Sequence, residues 1–246
     1  MSVARVETQP ERPDVDAAEI ARIRAEYRRR GQEIANDFYG WERPVNHFLF
    51  AQTARVCIRS LAREGMYPLN GKKVLDVGCG SGTWLLEFAQ WGADPADMAG
   101  IDLDESRISR ARTRLPVSDL QVGNAARQPW PNGTFDVVSQ FTVFSSVLSA
   151  SLRERMAAEL LRVVKPGGIL LWYDLRVPNP ANSNVRPIKA PEIRSLFPGC
   201  RIRLSRVTLA PPLARAIVPH SWAGGLALEW IPLLRTHYLS TIRPSK

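Results

Sequence analysis

Lys73-Val74-Leu75-Asp76-Val77-Gly78-Cys79-Gly80-Ser81-Gly82 decides the fold. An aliphatic run enters three glycines spaced by single small residues, and a helical pattern then fills residues 83–91 until Gly92 closes it. Val74, Leu75 and Val77 suit a short buried parallel strand. A backbone that turns so sharply and lets a ligand approach needs residues without a Cβ. The start of the following helix adds unpaired N–H groups and the positive end of its dipole, which favour an anionic or electron-rich partner.

Working outward, the even spacing of Gly78, Gly80 and Gly82, with Thr83 next, departs from the dinucleotide fingerprint, whose third glycine falls three positions after the second. That counts against NAD or FAD. Residues 97–102 read as a second strand ending in Asp102, 26 positions after Asp76. A carboxylate at that strand end accepts hydrogen bonds from ribose hydroxyls better than a neutral acceptor does. Asp104 is the better N-cap for a helix over 105–115. A third strand at 119–122 runs into Gly123-Asn124-Ala125, and the turn Asn132-Gly133 precedes a fourth strand at 135–141. A helix at 152–164, a turn at Lys165-Pro166-Gly167-Gly168 and a fifth strand at 169–173 complete an alternating order. This order predicts an α/β protein with a doubly wound, mostly parallel sheet.

Over residues 72–174 the succession of Asp76-Val77-Gly78-Cys79-Gly80-Ser81-Gly82, an acidic second-strand end, Gly-Asn-Ala, Phe-Asp-Val-Val and Leu-Arg-Val-Val-Lys-Pro-Gly-Gly resembles the class I S-adenosylmethionine (SAM)-dependent methyltransferases. The likeness is to their small-molecule group (methyltransferase type 11), which includes the quinone methyltransferases. The resemblance implies a seven-stranded Rossmann-like sheet with an antiparallel last strand, SAM as cofactor and S-adenosylhomocysteine as product. It implies cofactor contacts at Asp76, Gly78, Cys79, Gly80, Gly82, Asp102, Leu103, Asn124, Ala125 and Gln140. Many of these enzymes carry an aspartate where this chain has Asn124, and the asparagine oxygen accepts the same adenine hydrogen bond. Cys79 itself reads as a small filler in the turn.

The methyl group of such a cofactor is already activated on a sulfonium. The enzyme holds a nucleophile in line with it and removes a proton where the nucleophile is poor. No universal triad is expected, and the sequence offers none. The acceptor should lie over the carboxyl ends of strands four and five, among Phe141, Thr142, Tyr173, Asp174 and the loop of Asn179, Asn182 and Asn184. Tyr39 and Trp41 read as its lid. A proton acceptor is to be drawn from His220, His47, Tyr39 or Asp174, with His220 in a segment able to fold over the pocket. Ser139-Gln140-Phe141-Thr142 replaces the Pro-Pro-Tyr motif of enzymes that methylate base amines. No cysteine is placed to attack cytosine, and no carboxylate follows strand four to bind magnesium. These absences favour a small or medium-sized organic acceptor.

A chain of 246 residues suits one substantial core with a short appendage. Residues 1–14 read as a disordered tail, and 16–30 as an amphipathic helix with Ile20, Ile23 and Tyr27 on one stripe. Gly31 is expected to interrupt it, with helical pattern resuming over 33–41, and 44–63 forms the next helix. Residues 1–65 are read as an N-terminal tail and helical lid, and 66–246 as the SAM-binding methyltransferase domain, with substrate-side insertions in 175–234. Residues 210–234 are too apolar for a free loop and are expected to pack, in part as a wall of a hydrophobic acceptor pocket. Residues 201–209 and 237–243 make an antiparallel pair. Three scattered cysteines and three separated histidines give neither a disulfide framework nor a metal site. No apolar run spans a bilayer and no signal peptide opens the chain, so a cytoplasmic protein is expected.

The net charge of +9 is concentrated: residues 186–246 hold ten Lys or Arg against Glu192 and Glu229, which leaves +8 there. Such an end suits nucleic acid, an anionic membrane surface or an acidic substrate. The expected partner is a small-molecule substrate, with anionic membrane-surface contact in addition and no nucleic acid, in a monomer or homodimer. Two other functions fit less of the chain: methylation of RNA or protein, and a SAM-binding scaffold without catalysis.

Overall fold

The computed structural model describes residues 15–33, 38, 40–180 and 182–245. Chain order is α1 (Val15–Glu33), α2 (Pro44–Arg63), β1 (Val74–Val77), α3 (Thr83–Gln90), β2 (Met98–Asp102), α4 (Glu105–Arg114), β3 (Asp119–Val122) and β4 (Phe135–Phe141). Then come α5 (Ala150–Val163), β5 (Val164–Leu175), α6 (Ala190–Leu196), β6 (Arg201–Leu209), α7 (Pro211–Ile217), α8 (Trp222–Glu229) and β7 (Arg235–Arg243). The seven strands lie in the order β3-β2-β1-β4-β5-β7-β6. Every pairing is parallel except those of β7, which is antiparallel to both β5 and β6. The direction of winding reverses between β1 and β4, and ligands of open α/β sheets bind at the carboxyl side of such a switch point.

Alternate side chains of the central strands feed two layers, as the twofold period of a strand requires. Leu75, Val138, Leu170 and Trp172 face α5 and α6, where Trp172 packs on Phe144 and Phe197. Val74, Val137, Ile169 and Leu171 face α2, α3 and α4 through Cys57, Leu61, Leu85, Phe88 and Ile108. The two N-terminal helices therefore part company: Ile23 of α1 joins the first layer, and α2 belongs to the second. A third cluster of Val45, Phe48, Leu209, Ala214 and Val218 docks α7 on α2 beyond the end of β6. Among the described residues no helix is long and apolar enough to cross a membrane.

Four expectations are corrected. Helix α1 runs through Gly31 to Glu33. An isolated glycine costs only about 1 kcal/mol against alanine, and Arg29 reaches Glu26 and Glu33 across the site in i,i+3 and i,i+4 pairs that support the last turns. Trp41 then stands in a turn instead of a helix, while the supposed tail at 1–14 and Tyr39 lie outside the described residues. Lys165-Pro166-Gly167-Gly168 is not a turn before the fifth strand but a bulge within it: Phe135 pairs with Val164, and Val137 next with Ile169. A Cβ on Gly168 would fall 2.8 Å from the Asp136 carbonyl oxygen, so the bulge needs glycine there. Finally, 210–234 packs only in part. α7 and α8 rest on α2, while Trp230 and Leu233 face water.

Helix α5 starts at a serine cap, Ser149 Oγ accepting from the Leu152 N–H at 3.3 Å. Ser149→Ala is expected to cost about 1 kcal/mol of unfolding free energy, read from the midpoint of a urea titration.

Candidate functional site

The turn from β1 into α3 is pinned to β2. The N–H groups of Gly78 and Cys79 donate to the Ile101 carbonyl at 2.7 and 3.1 Å, and the Gly80 N–H donates to Asp102 Oδ2 at 2.9 Å. The other oxygen of Asp102 accepts from the Asp104 N–H at 2.9 Å, and Asp104 caps α4. Burial raises the Asp102 carboxyl above the usual range, against the two backbone N–H groups that favour its charge. Gly78 has φ +74°, and a Cβ on it would lie 2.3 Å from Val143 Cγ2, so the connection after β4 closes directly on bare backbone. At Gly80, φ +53°, nothing lies within 4 Å of that position. Open backbone beside a half-buried carboxylate leaves room and an acceptor for a ribose diol, and α3 begins at Gly82 without a side-chain cap. The residues present thus fit SAM.

Other residues singled out from sequence lie deeper. Asp76 Oδ1 accepts from Ser139 Oγ at 2.7 Å inside the sheet, and burial pushes its carboxyl up to about 7. Cys79 is buried as a filler against Gly100, where a Cβ would fall 2.7 Å from its sulfur, and burial pushes its thiol up. Gln140 spends both ends of its amide on the protein, donating to the Tyr173 carbonyl and accepting from the Val143 N–H. Asn124 Oδ1 accepts from the Ala126 N–H at 2.9 Å, which closes an Asx turn and leaves a second lone pair. Leu103 and Ala125 pack on the same cluster as Ile20 and Tyr27 of α1. That helix is fastened across the carboxyl edge: Glu19 accepts from the Leu148 and Ser149 N–H groups, and Arg22 donates to the Ser146 carbonyl. The Arg107 guanidinium sits 4.3 Å from the centre of the Tyr27 ring.

On the acceptor side the aromatic residues form a row. Phe141, at the end of β4, stacks on Trp84 at 3.9 Å and 9°, Trp84 on Phe50 at 4.7 Å, and Phe50 meets the edge of Trp41 at 5.1 Å. Trp41 and His47 are 5.0 Å apart. Trp41, His47 and Phe50 line an open groove of about 730 Å³ between α2 and α3, with Ala51, Ala54, Ile58 and Leu86 as apolar floor and Arg55, Arg59, Glu87 and Arg114 around it. It starts at Thr83, directly after the glycine turn, where Arg114 donates to the Ser81 carbonyl.

The remaining candidates do not gather there. Tyr173 is buried, its hydroxyl 2.9 Å from Thr208 Oγ1 and its ring stacked on His237 at 4.8 Å. Asp174 is buried with its oxygens on the Ser145 and Leu175 N–H groups, and burial raises it to about 6; the geometry is that of an anchor for the turn after β4. Thr142 is exposed with φ +59°, a costly conformation for a branched residue, at the end of β4. Asn179 is exposed in the loop after β5. His220 is exposed between α7 and α8 and does not line the groove. Sequence reasoning missed Phe50, Trp84 and the groove. The signal was present in His47, Phe50, Ala51, Ala54 and Ile58, whose helical spacing puts one stripe on α2 that joins the buried face only at Ala54.

Residues 74–168 match the family model described as a methyltransferase domain. A probable S-adenosylmethionine-dependent methyltransferase of Mycolicibacterium smegmatis is 36% identical over 106 residues, covering 41% of this chain and 37% of that protein. Phthiotriol/phenolphthiotriol dimycocerosates methyltransferase 1 of Mycobacterium ulcerans is 35% identical over 113 residues, covering 45% and 40%. The chain thus spans about two fifths of the length of these relatives. Among solved structures the [4+2]-cyclase SpnF superposes with a TM-score of 0.57 at 19% identity, covering 78% of this chain and 81% of that one, a likeness of fold alone. With the strand order and the glycine turn pinned to Asp102, the sequence match identifies residues 74–168 as a methyltransferase domain of the class I S-adenosylmethionine-dependent type.

Proposed function

We propose that the protein transfers the methyl group of SAM to an oxygen, nitrogen or carbon of a small or medium-sized hydrophobic acceptor. The observation that carries this reading is the aromatic row running from the end of β4 into an apolar groove that begins at the glycine turn. In this reading residues 66–246 are the SAM-binding domain, α1 and α2 supply the lid side from 1–65, and α7 and α8 support the acceptor side from within 175–234. Asp102 accepts hydrogen bonds from the ribose hydroxyls, Gly80 admits the cofactor to the backbone while Gly82 lets the turn close on Ala111 and Leu115 at the end of α4, and Leu103, Asn124 and Ala125 border the adenine.

Bound SAM supplies an activated methyl electrophile. The chain's own residues then hold the acceptor, exclude water and take a proton. Phe141 and Trp84 back the groove by stacking behind Phe50, Trp41 and Phe50 hold the acceptor's apolar body, and the exposed imidazole of His47 takes the proton from a hydroxyl acceptor. His220, outside the groove, and Asp174, committed to backbone N–H groups, are given no proton transfer.

The basic end of the chain gives little support to a nucleic-acid substrate. Arg201, Arg203 and Arg243 converge on the buried side chain of Glu64 at 2.6, 3.2 and 3.2 Å, and Arg186 pairs with Glu192. Arg201 and Arg203 of β6 and Arg243 of β7 thus join the last strands to the C-terminal end of α2, and Arg186 braces α6, so these cations serve packing within the fold.

The test is transfer from methyl-labelled SAM to a panel of apolar phenols, quinols and phthiotriol-type acceptors beside RNA and polypeptide. Labelled apolar product with release of S-adenosylhomocysteine is expected. Transfer only to RNA or polypeptide would sink the reading, and SAM binding without turnover on any acceptor would leave the scaffold function in its place. With an active acceptor in hand, Trp41→Ala is expected to raise KM about tenfold at unchanged kcat, since loss of ring contact of roughly 1–2 kcal/mol affects ground and transition states alike.

A further inference from the structure

The corner between β6 and β7 turns its largest apolar side chains outward. Trp230 and Leu233 are each 81% exposed, and Ile231 and Trp222 44% each. The backbone beneath them is fastened: Trp230 and Ile231 donate to the Ala227 and Leu228 carbonyls, Leu234 to Ile231, and the Ala210 N–H closes the corner on the Leu234 carbonyl at 2.8 Å. Glu229 is held by Arg55 at 2.6 Å, and its carbonyl by Arg235 Nε at 2.7 Å. Bond by bond, the corner is an ordered element that keeps two large rings and two aliphatic chains in water at a cost in hydration.

Its surroundings are cationic. Arg206 is exposed on β6, Arg215 stands on α7 and Arg235 opens β7, while Glu229, the only acid in 210–234, is neutralised by Arg55. A second copy of the chain would bring the same positive rim against this one. An anionic bilayer meets both features at once, taking tryptophan at the headgroup level and aliphatic side chains in the acyl boundary while its phosphates meet the arginines. We propose that the tip Trp230-Ile231-Pro232-Leu233 docks the protein on an anionic lipid surface. Leu209, at the end of β6, pairs with Arg235, and β5 ends opposite His237. The tip therefore projects from the same carboxyl edge of the sheet as the glycine turn and the end of β4.

Sedimentation of the full chain with phosphatidylcholine vesicles, with and without phosphatidylglycerol, tests this. Binding to the anionic vesicles, weakened by salt and accompanied by a blue shift of tryptophan fluorescence, is expected. Trp230→Ser combined with Leu233→Ser should reduce partitioning by at least about tenfold, with the melting temperature and SAM binding unchanged because neither side chain is buried. Absence of binding to phosphatidylglycerol vesicles overturns the proposal, as does equal binding by the double variant. So does self-association without vesicles that the double variant abolishes, which would assign the tip to a second copy of the chain. None of these readouts depends on the identity of the methyl acceptor.

Discussion

Asp102→Ala is expected to weaken SAM binding by about 10- to 150-fold, measured by titration calorimetry. The estimate is that of one lost hydrogen-bonding partnership with a charged group, roughly 1.5–3 kcal/mol. Two effects act together. The ribose hydroxyls lose their carboxylate, and the Gly80 and Asp104 N–H groups lose the acceptor that fixes the turn and the start of α4. Asp102→Asn separates them. It keeps one oxygen acceptor but sets an NH2 group against a backbone donor, so its affinity should fall between the two. Affinity for SAM unchanged in Asp102→Ala would remove the end of β2 from the cofactor site. A fall in melting temperature without a fall in affinity would leave Asp102 only its role in the turn.

Asp76→Asn should stabilise the protein at pH 8, on the order of 2–4 kcal/mol, and leave it unchanged near pH 4. Burial lifts the Asp76 carboxyl from 3.8 to about 7 in the folded state. Between those values the folded protein holds a proton that the unfolded chain has released, so stability falls as pH rises from about 4 to about 7 and levels off above it. Asparagine keeps an oxygen for the Ser139 hydroxyl and carries no charge, so this part of the pH dependence disappears. Asp174, raised to about 6, adds a slope of the same sign. His237 opposes them: burial lowers it to about 4, so stability is lost as pH falls from the unfolded value of 6.5 towards 4. Both remain in the variant and cancel in the difference between the two urea titrations. Equal stability of the two proteins at pH 8 would mean that the buried charge is compensated locally.

The part of the molecule legible in the sequence is the part fixed by local rules. β1, the glycine turn and α3 follow from aliphatic clustering, positive φ and helix periodicity within twenty residues, and the strand-helix alternation after it repeats the same logic. Asp102 was reachable because a strand end is a position that pattern can count. What needed the structure is set by long-range packing. Residue spacing does not say that Asp76 turns into the sheet towards Ser139, or that α1 and α2 settle on opposite faces. Trp84 reads as one more core aromatic until Phe50 and Phe141 are seen on either side of its ring. The apolar content of 210–234 indicated burial, yet hydrophobicity counts residues without regard to direction, and Trp230 and Leu233 point outward.

The place of β7 also bears on the order in which the fold is assembled. This strand follows all the others in sequence but lies inside the sheet, between β5 and β6. Until Arg235–Arg243 has been synthesised, β5 presents an open edge and β6 has no neighbour to pair with. The nascent chain can form the β1–β4 nucleus and its glycine turn early, while a bare edge on β5 stays available to other unfinished chains. One late nine-residue strand then closes that edge and recruits β6 in a single event, so substitutions in β7 should reduce the yield of folded protein more than its eventual stability.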